Sequence, residues 1–157
     1  MFQMQSLNQR KQNRREMNCL KSVLFICTHN AIRSQIAEGL VNSLYSSVLE
    51  AESAGSKPTQ VHPKAIEVMA EMDIDISGHR SKGLKEFEDQ EFDYVVMVCS
   101  NDADTCPFFP GGKEQIHHAF YDPGEAKSTE EEKLIAFRHS RNEINKWIID
   151  NLVLPNC

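Results

Sequence analysis

Cys27 and Arg33, with five residues between them, are the side chains of this sequence whose types and spacing best fit a chemical reaction. A thiolate is a strong nucleophile, and the planar guanidinium of an arginine can hold two oxygens of a phosphate-sized oxyanion. Ser34 can donate its hydroxyl to the thiolate, and Asn30 tolerates the left-handed backbone of a tight anion-binding loop. The spacing therefore predicts a loop whose backbone N–H groups surround an oxyanion, although a structural cysteine before a helix has the same pattern.

The elements on either side of this loop must place the thiol at the start of a helix. The apolar run Val23–Ile26 is too short for a helix and predicts a buried strand. Apolar residues then recur at helical spacing, which predicts an amphipathic helix over about 33–46, at Ile32, Ile36, Leu40 and Leu44. Because a helix N-terminus favours negative charge, we expect Cys27 to react as a thiolate.

The segments Phe25–Asn30 and Arg33–Gly39 resemble the active-site loop shared by two groups of one superfamily. These groups are the low-molecular-weight protein tyrosine phosphatases and the thioredoxin-coupled arsenate reductases, which share a phosphatase fold. The resemblance implies a nucleophile at Cys27, an oxyanion clamp at Arg33 and an oxyanion-binding loop of Thr28, His29, Asn30, Ala31, Ile32, Arg33 and Ser34. Some relatives carry a second cysteine at the position of Ile32. Because both groups share this loop, the rest of the chain must distinguish their reactions.

The alternation of strands and helices predicts a three-layer α/β/α domain with a roughly four-stranded parallel sheet. Further strands are predicted over Val48–Ala54, Phe92–Val98 and Ile116–Tyr121, and a helix is predicted to begin at Pro63. A long terminal helix is predicted to begin near Ser128, with an apolar side formed by Ile135, Phe137, Ile144, Trp147, Ile148 and Leu152.

Two further cysteines follow one of these strands. The strand Phe92–Val98 should deliver Cys99 to the sheet edge at which Cys27 emerges, because the carboxyl ends of parallel strands share an edge. Cys99 and Cys106 have six residues between them, whereas zinc knuckles have about two to four. We therefore expect redox-active thiols here, no metal site and no tightly bound cofactor.

The cysteine set distinguishes the two reactions that the resemblance allows. A phosphatase needs only Cys27, whereas reduction of an oxyanion such as arsenate takes two electrons, which three thiols in a relay can supply. The resemblance to the arsenate reductases implies that Cys27 attacks arsenic and that Cys99 then attacks Cys27 and releases arsenite. The resulting disulfide would pass to Cys99 and Cys106, where thioredoxin would reduce it. Phosphate and sulfate are expected as competing oxyanions.

An Asp-Pro pair, Asp122 and Pro123, follows the last predicted strand. Asp122 resembles the general acid of the superfamily, which gives a proton to the leaving oxygen. A turn-forming Asp-Pro pair is the alternative interpretation. The phosphatases tend to carry tyrosines just after this pair, which line a pocket for an aromatic substrate. Gly124, Glu125 and Ala126 stand here instead and leave no aromatic wall.

Two residues are expected to support the loop from behind. Glu38 is interpreted as a carboxylate that braces the loop, and Ser53, at a strand end that resembles the family's, is expected to hydrogen-bond to Asn30. Lys82 stands where some arsenate reductases have a carboxylate of a cation-binding network. Because a lysine can supply the positive charge itself, no bound potassium ion is expected, and a surface lysine is the alternative.

Length and composition limit the remaining possibilities. With 157 residues, 40% of them hydrophobic, the chain is expected to form a single phosphatase-like catalytic domain over 21–157. Residues 1–20 are poor in apolar periodicity and are predicted to be a disordered extension. The net charge of −6 and the lack of a long apolar run argue against nucleic-acid and membrane partners. We expect a cytoplasmic monomer with reduced thiols.

Three other functions remain compatible with these residues. One is a low-molecular-weight protein tyrosine phosphatase that uses Cys27 alone, and another is a reductase coupled to glutathione and glutaredoxin. The third is a non-catalytic sensor that binds an oxyanion or arsenite through soft thiolates.

Overall fold

The computed structural model describes residues 20–99, 108–125 and 128–156. Within these ranges the strands are β1 (Lys21–Cys27), β2 (Leu49–Gly55), β3 (Phe92–Met97) and β4 (Gly112–His117). The α-helices are α1 (Arg33–Leu44), α2 (Pro63–Ala70) and α3 (Glu130–Ile148). Short 3-10 helices cover Leu84–Phe87 and Pro123–Glu125, and a π-helical turn, Ile149–Val153, follows α3.

All four strands are parallel, in the order β2-β1-β3-β4. The central strand β1 is buried along nearly its whole length, because successive side chains enter different cores on its two faces. Val23 and Phe25 lie in the larger core, which includes residues of all three α-helices. Leu24 and Ile26 lie in a smaller core that Phe87, from a 3-10 helix, helps to close. The predicted parallel sheet flanked by helices is confirmed.

The starts of two helices follow from the sequence. Pro63 stands in the first turn of α2, and His62 caps this helix by accepting a hydrogen bond from the Lys64 N–H. The Thr129 hydroxyl accepts a hydrogen bond from the Glu132 N–H, and three glutamates occupy the first turn of α3. Both starts agree with the predicted ones.

The last strand, and one residue predicted to lie on the apolar side of the terminal helix, differ from the prediction. β4 spans Gly112–His117 and not Ile116–Tyr121, because an edge strand with exposed Lys113, Glu114 and Gln115 carries no apolar signal. Phe120, which suggested a strand, is buried in the loop after it. Ile135 is 55% exposed and does not belong to the buried side of α3.

The predicted extension lies almost entirely outside the described residues, as do Cys106 and most of the segment after Cys99. No helix in the described parts of the chain is long and apolar enough to cross a membrane.

Candidate active site

The loop between β1 and α1 is held in a shape that needs Asn30. This residue has a φ of 50°, the left-handed conformation that asparagine tolerates better than most residues. Its backbone N–H donates a hydrogen bond to Cys27 Sγ, at 3.2 Å. The thiol therefore lies inside the curve of the loop, facing the backbone N–H of Asn30.

The carbonyl groups of the same loop are bound from outside. Those of Thr28, His29 and Ala31 accept hydrogen bonds from the N–H groups of Lys57, Thr59 and His62. The chain after β2 thus satisfies the loop's acceptors and leaves its donors for the interior. Such a concave set of N–H groups is a common site for oxyanions.

The close approach of this segment depends on a glycine at the end of β2. A Cβ atom at Gly55 would lie 2.6 Å from the Thr28 carbonyl oxygen and 2.9 Å from the Asn30 nitrogen. Only a residue without a side chain fits at this position, so Gly55 sets the distance between β2 and the loop.

The hydrogen bonds around the Cys27 thiol have a defined direction. Asn30 Nδ2 donates to Ser34 Oγ at 2.8 Å, so the Ser34 hydroxyl acts as an acceptor there. Its own hydrogen is then free to point at Cys27 Sγ, which lies 2.8 Å away. The sulfur therefore receives two hydrogen bonds, one from Ser34 and one from the Asn30 backbone.

Gln35 fixes the orientation of the Asn30 amide. Gln35 Nε2 donates to Asn30 Oδ1 at 2.9 Å, and the Lys82 backbone N–H donates to the same oxygen at 2.8 Å. Because both contacts require an acceptor, the Nδ2 group of Asn30 must face Ser34. The sequence interpretation missed this role for Gln35, although the residue lies within the segment that carried the family resemblance.

Arg33, at the start of α1, contacts the segments that follow β3 and β4. It is only 8% exposed, and its Nη1 donates to the carbonyl oxygens of Val98 and Phe120, at 3.2 and 3.1 Å. Its Nη2 lies 3.6 Å from Asp122 Oδ2. The guanidinium is thus held at one edge while its remaining N–H groups stay available for a ligand.

A cavity of about 50 Å³ lies between these groups. It is lined by Cys27, His29, Ala31, Ile32, Arg33 and Asp122. Asp122 Oδ1 accepts a hydrogen bond from the Gly124 N–H at 2.9 Å, which turns the other oxygen toward Arg33. The expected nucleophile Cys27, the expected oxyanion clamp Arg33 and the expected proton donor Asp122 therefore line the same small cavity.

A buried ionic cluster lies behind the loop. Glu38, 5% exposed, contacts Lys82 Nζ at 2.8 Å, His79 Nδ1 at 2.9 Å and Ser53 Oγ at 3.1 Å. The expected hydrogen bond from Ser53 to Asn30 is wrong, because the carboxylate of Glu38 lies within reach of Ser53 and takes its hydroxyl. Lys82 still supports Asn30, but through its backbone N–H.

Burial and ion pairing have opposite effects on this cluster. Burial raises the pKa of Glu38, but hydrogen bonds from His79 and Lys82 and the charge of Lys82 outweigh it and lower the pKa below its ordinary value. Burial lowers the pKa of Lys82, but the hydrogen bond and charge of Glu38 outweigh it and raise the pKa. Both groups are therefore charged at neutral pH, and Lys82 supplies the positive charge beside Glu38.

Cys99 follows β3 and is fully buried. Its sulfur lies 3.8 Å from the carbonyl oxygen of Ile26, the residue before Cys27. Cys99 is disulfide-bonded, whereas Cys27 is a free thiol. Two of the expected redox cysteines thus lie on adjacent strand ends, and Cys106 lies outside the described residues.

The described residues contain no cluster of three or more His, Cys, Asp or Glu side chains suited to a metal ion. His117 and His118, at and just after the end of β4, have separate environments. His117 contacts the Cys99 carbonyl, and the His118 ring lies against Phe120 and Trp147.

Comparison with known proteins relates this fold and site to a family. Residues 22–146 match the family model described as low molecular weight phosphotyrosine protein phosphatase. The arsenate reductase of Halalkalibacterium halodurans is 41% identical over 128 residues, which cover 82% of this chain and 92% of that protein.

Solved structures agree with the sequence comparison. A structure described as an arsenate reductase in the phosphate binding state aligns with a TM-score of 0.73 and 30% identity, over 87% of this chain and 99% of its own. A thioredoxin-dependent arsenate reductase from Corynebacterium glutamicum aligns with a TM-score of 0.57 and 33% identity, over 82% of this chain and 62% of its own. With its fold, its thiol-containing anion loop and these matches, the chain belongs to the low molecular weight phosphotyrosine protein phosphatase family.

Proposed function

We propose that this protein is an arsenate reductase that converts arsenate to arsenite through a relay of Cys27, Cys99 and Cys106, regenerated by thioredoxin. One observation carries the proposal. Cys27 is a free thiol, while Cys99, in a disulfide, lies with its sulfur 3.8 Å from the carbonyl oxygen next to Cys27. A phosphatase has no use for a second thiol at this place, and the related proteins named above are arsenate reductases.

The relay begins at the cavity. The Cys27 thiolate attacks arsenic, an As–O bond breaks, and the oxygen leaves as water after protonation by Asp122. The Cys99 thiolate then attacks Cys27 Sγ, and the electrons of the S–As bond remain on arsenic. Arsenic(V) becomes arsenic(III) and leaves as arsenite, while the two thiols become one disulfide.

The second half of the relay restores the nucleophile. The Cys106 thiolate attacks Cys99, which releases the Cys27 thiolate and leaves a disulfide between Cys99 and Cys106. A thioredoxin dithiol reduces this disulfide and becomes oxidised in exchange. The observed state, with Cys27 free and Cys99 oxidised, fits the form that awaits reduction.

The other site residues act on charge and position. Arg33 clamps the oxyanion through the N–H groups that its two carbonyl contacts leave available, and Ser34 stabilises the thiolate. The loop of Thr28, His29, Asn30, Ala31 and Ile32 supplies backbone donors. Because arsenate, phosphate and sulfate are similar in shape, phosphate and sulfate should compete. We further propose that residues 21–157 act as one monomeric, cytoplasmic domain whose thiols are kept reduced.

The decisive experiment measures arsenate-dependent NADPH consumption with thioredoxin and thioredoxin reductase. Cys27→Ser, Cys99→Ser and Cys106→Ser should each lose multiple turnover, while Cys157→Ser should keep it. A wild-type protein that is inactive here but hydrolyses an aryl phosphate with Cys27 alone would instead be a phosphatase. Stoichiometric arsenite binding without any turnover would indicate the sensor, and activity with glutaredoxin alone would replace the thioredoxin partner.

A further inference from the structure

Two consecutive carbonyl groups after β3 are each bound by a side chain from another element. Arg33 donates to Val98 O at 3.2 Å, and His117 Nε2 lies 3.0 Å from Cys99 O. A carbonyl oxygen only accepts hydrogen bonds, so Nε2 of His117 must carry a hydrogen and donate it. The contact at Val98 belongs to the oxyanion clamp, whereas the contact at Cys99 has no part in the steps described so far.

From this contact we infer that His117 is a positioning residue for Cys99 in the disulfide-forming step; the inference rests on the proposed function. Regular pairing of β3 ends at Met97, whose partner on β4 is His117. Cys99 lies beyond the last paired residue, and the imidazole reaches forward along the strand to its carbonyl group. His117 thereby adds a contact between β4 and Cys99, beyond the last paired residues of the two strands.

The contact with His117 holds the backbone of Cys99 beside the peptide that leads into Cys27. The Val98 N–H donates to Ile26 O at 2.9 Å, and Cys99 Sγ lies 3.8 Å from the same oxygen. The backbone of Cys99 is therefore in register with the peptide that leads into Cys27. A thiolate must approach Cys27 Sγ in line with the S–As bond, so a small displacement of Cys99 slows the attack strongly.

The neighbouring histidine provides a matched control. The His118 ring packs at 4.5 Å from the Phe120 ring and 5.4 Å from the Trp147 ring, measured between centroids. Within the described residues, the ring contacts of His118 are with the aromatic side chains Phe120 and Trp147. A phenylalanine at either position keeps a ring and removes the N–H donor, so the two substitutions separate the hydrogen bond from the packing.

The test uses the full chain with Cys106→Ser, which stops the relay at the disulfide between Cys27 and Cys99. Into this protein are introduced His117→Phe, His117→Gln and His118→Phe, and arsenite release is followed in a single turnover. His117→Phe should slow release about tenfold, while His117→Gln, whose amide can donate to the same carbonyl, should recover most of the rate. His118→Phe should release arsenite at the starting rate.

A second measurement excludes general damage to the site. Inorganic phosphate should protect Cys27 from iodoacetamide equally well in all these proteins, because the anion loop does not contact His117. Unchanged arsenite release in His117→Phe, no recovery in His117→Gln, or an equal loss of phosphate protection would overturn the inference. If the Cys106→Ser protein, with His117 and His118 unchanged, releases no arsenite, the proposed function fails. The same variants then decide the role of His117 through the rate at which diamide closes the disulfide between Cys27 and Cys99.

Discussion

At the scale of single residues, the reactivity of Cys27 depends on the direction of a few hydrogen bonds. Gln35 orients the Asn30 amide, Asn30 then donates to Ser34, and Ser34 in turn donates to the sulfur. Each step requires the previous one, because an amide or a hydroxyl turned the other way would offer the wrong group. The alignment costs nothing at the moment of reaction, since it is already present in the folded chain.

Removal of the last donor should therefore reduce the reactivity of the thiol. We expect Ser34→Ala to slow alkylation of Cys27 by iodoacetamide at pH 7 about tenfold, because the thiolate loses a charge-assisted hydrogen bond. Ser43→Ala, at an exposed position of the same helix, is the control. Equal alkylation rates in both variants would show that the Ser34 hydroxyl does not stabilise the thiolate.

Asp122 should affect the chemical step without supporting the binding of the anion. Asp122→Asn removes the proton donor and should lower turnover with arsenate about a hundredfold or more. It also removes a negative charge 3.6 Å from Arg33, so phosphate should protect Cys27 at least as well as before. Asp89→Asn, an exposed substitution, should change neither value. Weaker protection by phosphate in Asp122→Asn would indicate a structural role.

At the scale of elements, the loop depends on the strand beside it. Gly55 ends β2, and a methyl group there would collide with the Thr28 carbonyl, whereas a Cβ at Gly78 meets no atom within 4 Å. The two glycines therefore have different roles, one setting a close approach and the other lying in open space.

This difference predicts opposite outcomes for the same substitution. Gly55→Ala should lower the free energy of unfolding by about 1–3 kcal/mol and weaken phosphate protection, because the loop must move away from β2. Gly78→Ala should leave both nearly unchanged. Urea unfolding and the alkylation assay provide the measurements, and a tolerated Gly55→Ala would mean that the loop shifts without consequence.

The success of the sequence predictions follows the strength of the local signal. β1, α1 and the starts of α2 and α3 were predictable, because apolar periodicity, a first-turn proline and capping residues determine them locally. β4 was misplaced because a polar edge strand is defined by its pairing with β3, which leaves no trace in its own residues. The meeting of Cys27, Arg33 and Asp122 was expected from the resemblance of the loop and of the Asp-Pro pair to the superfamily. The partner of Ser53 depended on how far Glu38 reaches, which no spacing reveals.

At the scale of the whole molecule, the buried cluster behind the loop links stability to pH. The folded-state pKa of Glu38 lies below its ordinary value of 4.5, mainly because the hydrogen bonds from His79 and Lys82 outweigh burial. A depressed carboxylate pKa adds stability that is complete above about pH 4.5 and is lost as the pH falls through the folded-state pKa. The cluster therefore stabilises the neutral protein and fails in acid.

The variant Glu38→Gln tests this linkage. At pH 7 it should lower the free energy of unfolding by about 3 kcal/mol, because Lys82 is left buried without its main partner. The difference from wild type should be smaller at pH 3, because the stability from the depressed pKa of Glu38 is lost as the pH falls below about 4.5 and through the folded-state pKa. Urea unfolding at both pH values gives the comparison, with the exposed Glu88→Gln as control. A constant difference between the two pH values would contradict the linkage.

Deletion of residues 1–18 tests the proposed domain boundary. The deletion should leave turnover and thermal stability unchanged if residues 21–157 form the whole catalytic domain. A large loss of stability or activity would assign the extension to the folded domain.

The contacts of Arg33 with residues far along the sequence also determine when the site can form during synthesis. The two carbonyl groups that hold its guanidinium belong to residues 65 and 87 positions later in the chain. A growing polypeptide therefore carries Cys27 well before the residues that hold Arg33 have been made. The central strand β1 likewise cannot pair with β3 until β3 has been synthesised. Until then Cys27 lacks the guanidinium that these carbonyl groups hold in place, so the thiol is made before the oxyanion clamp can form.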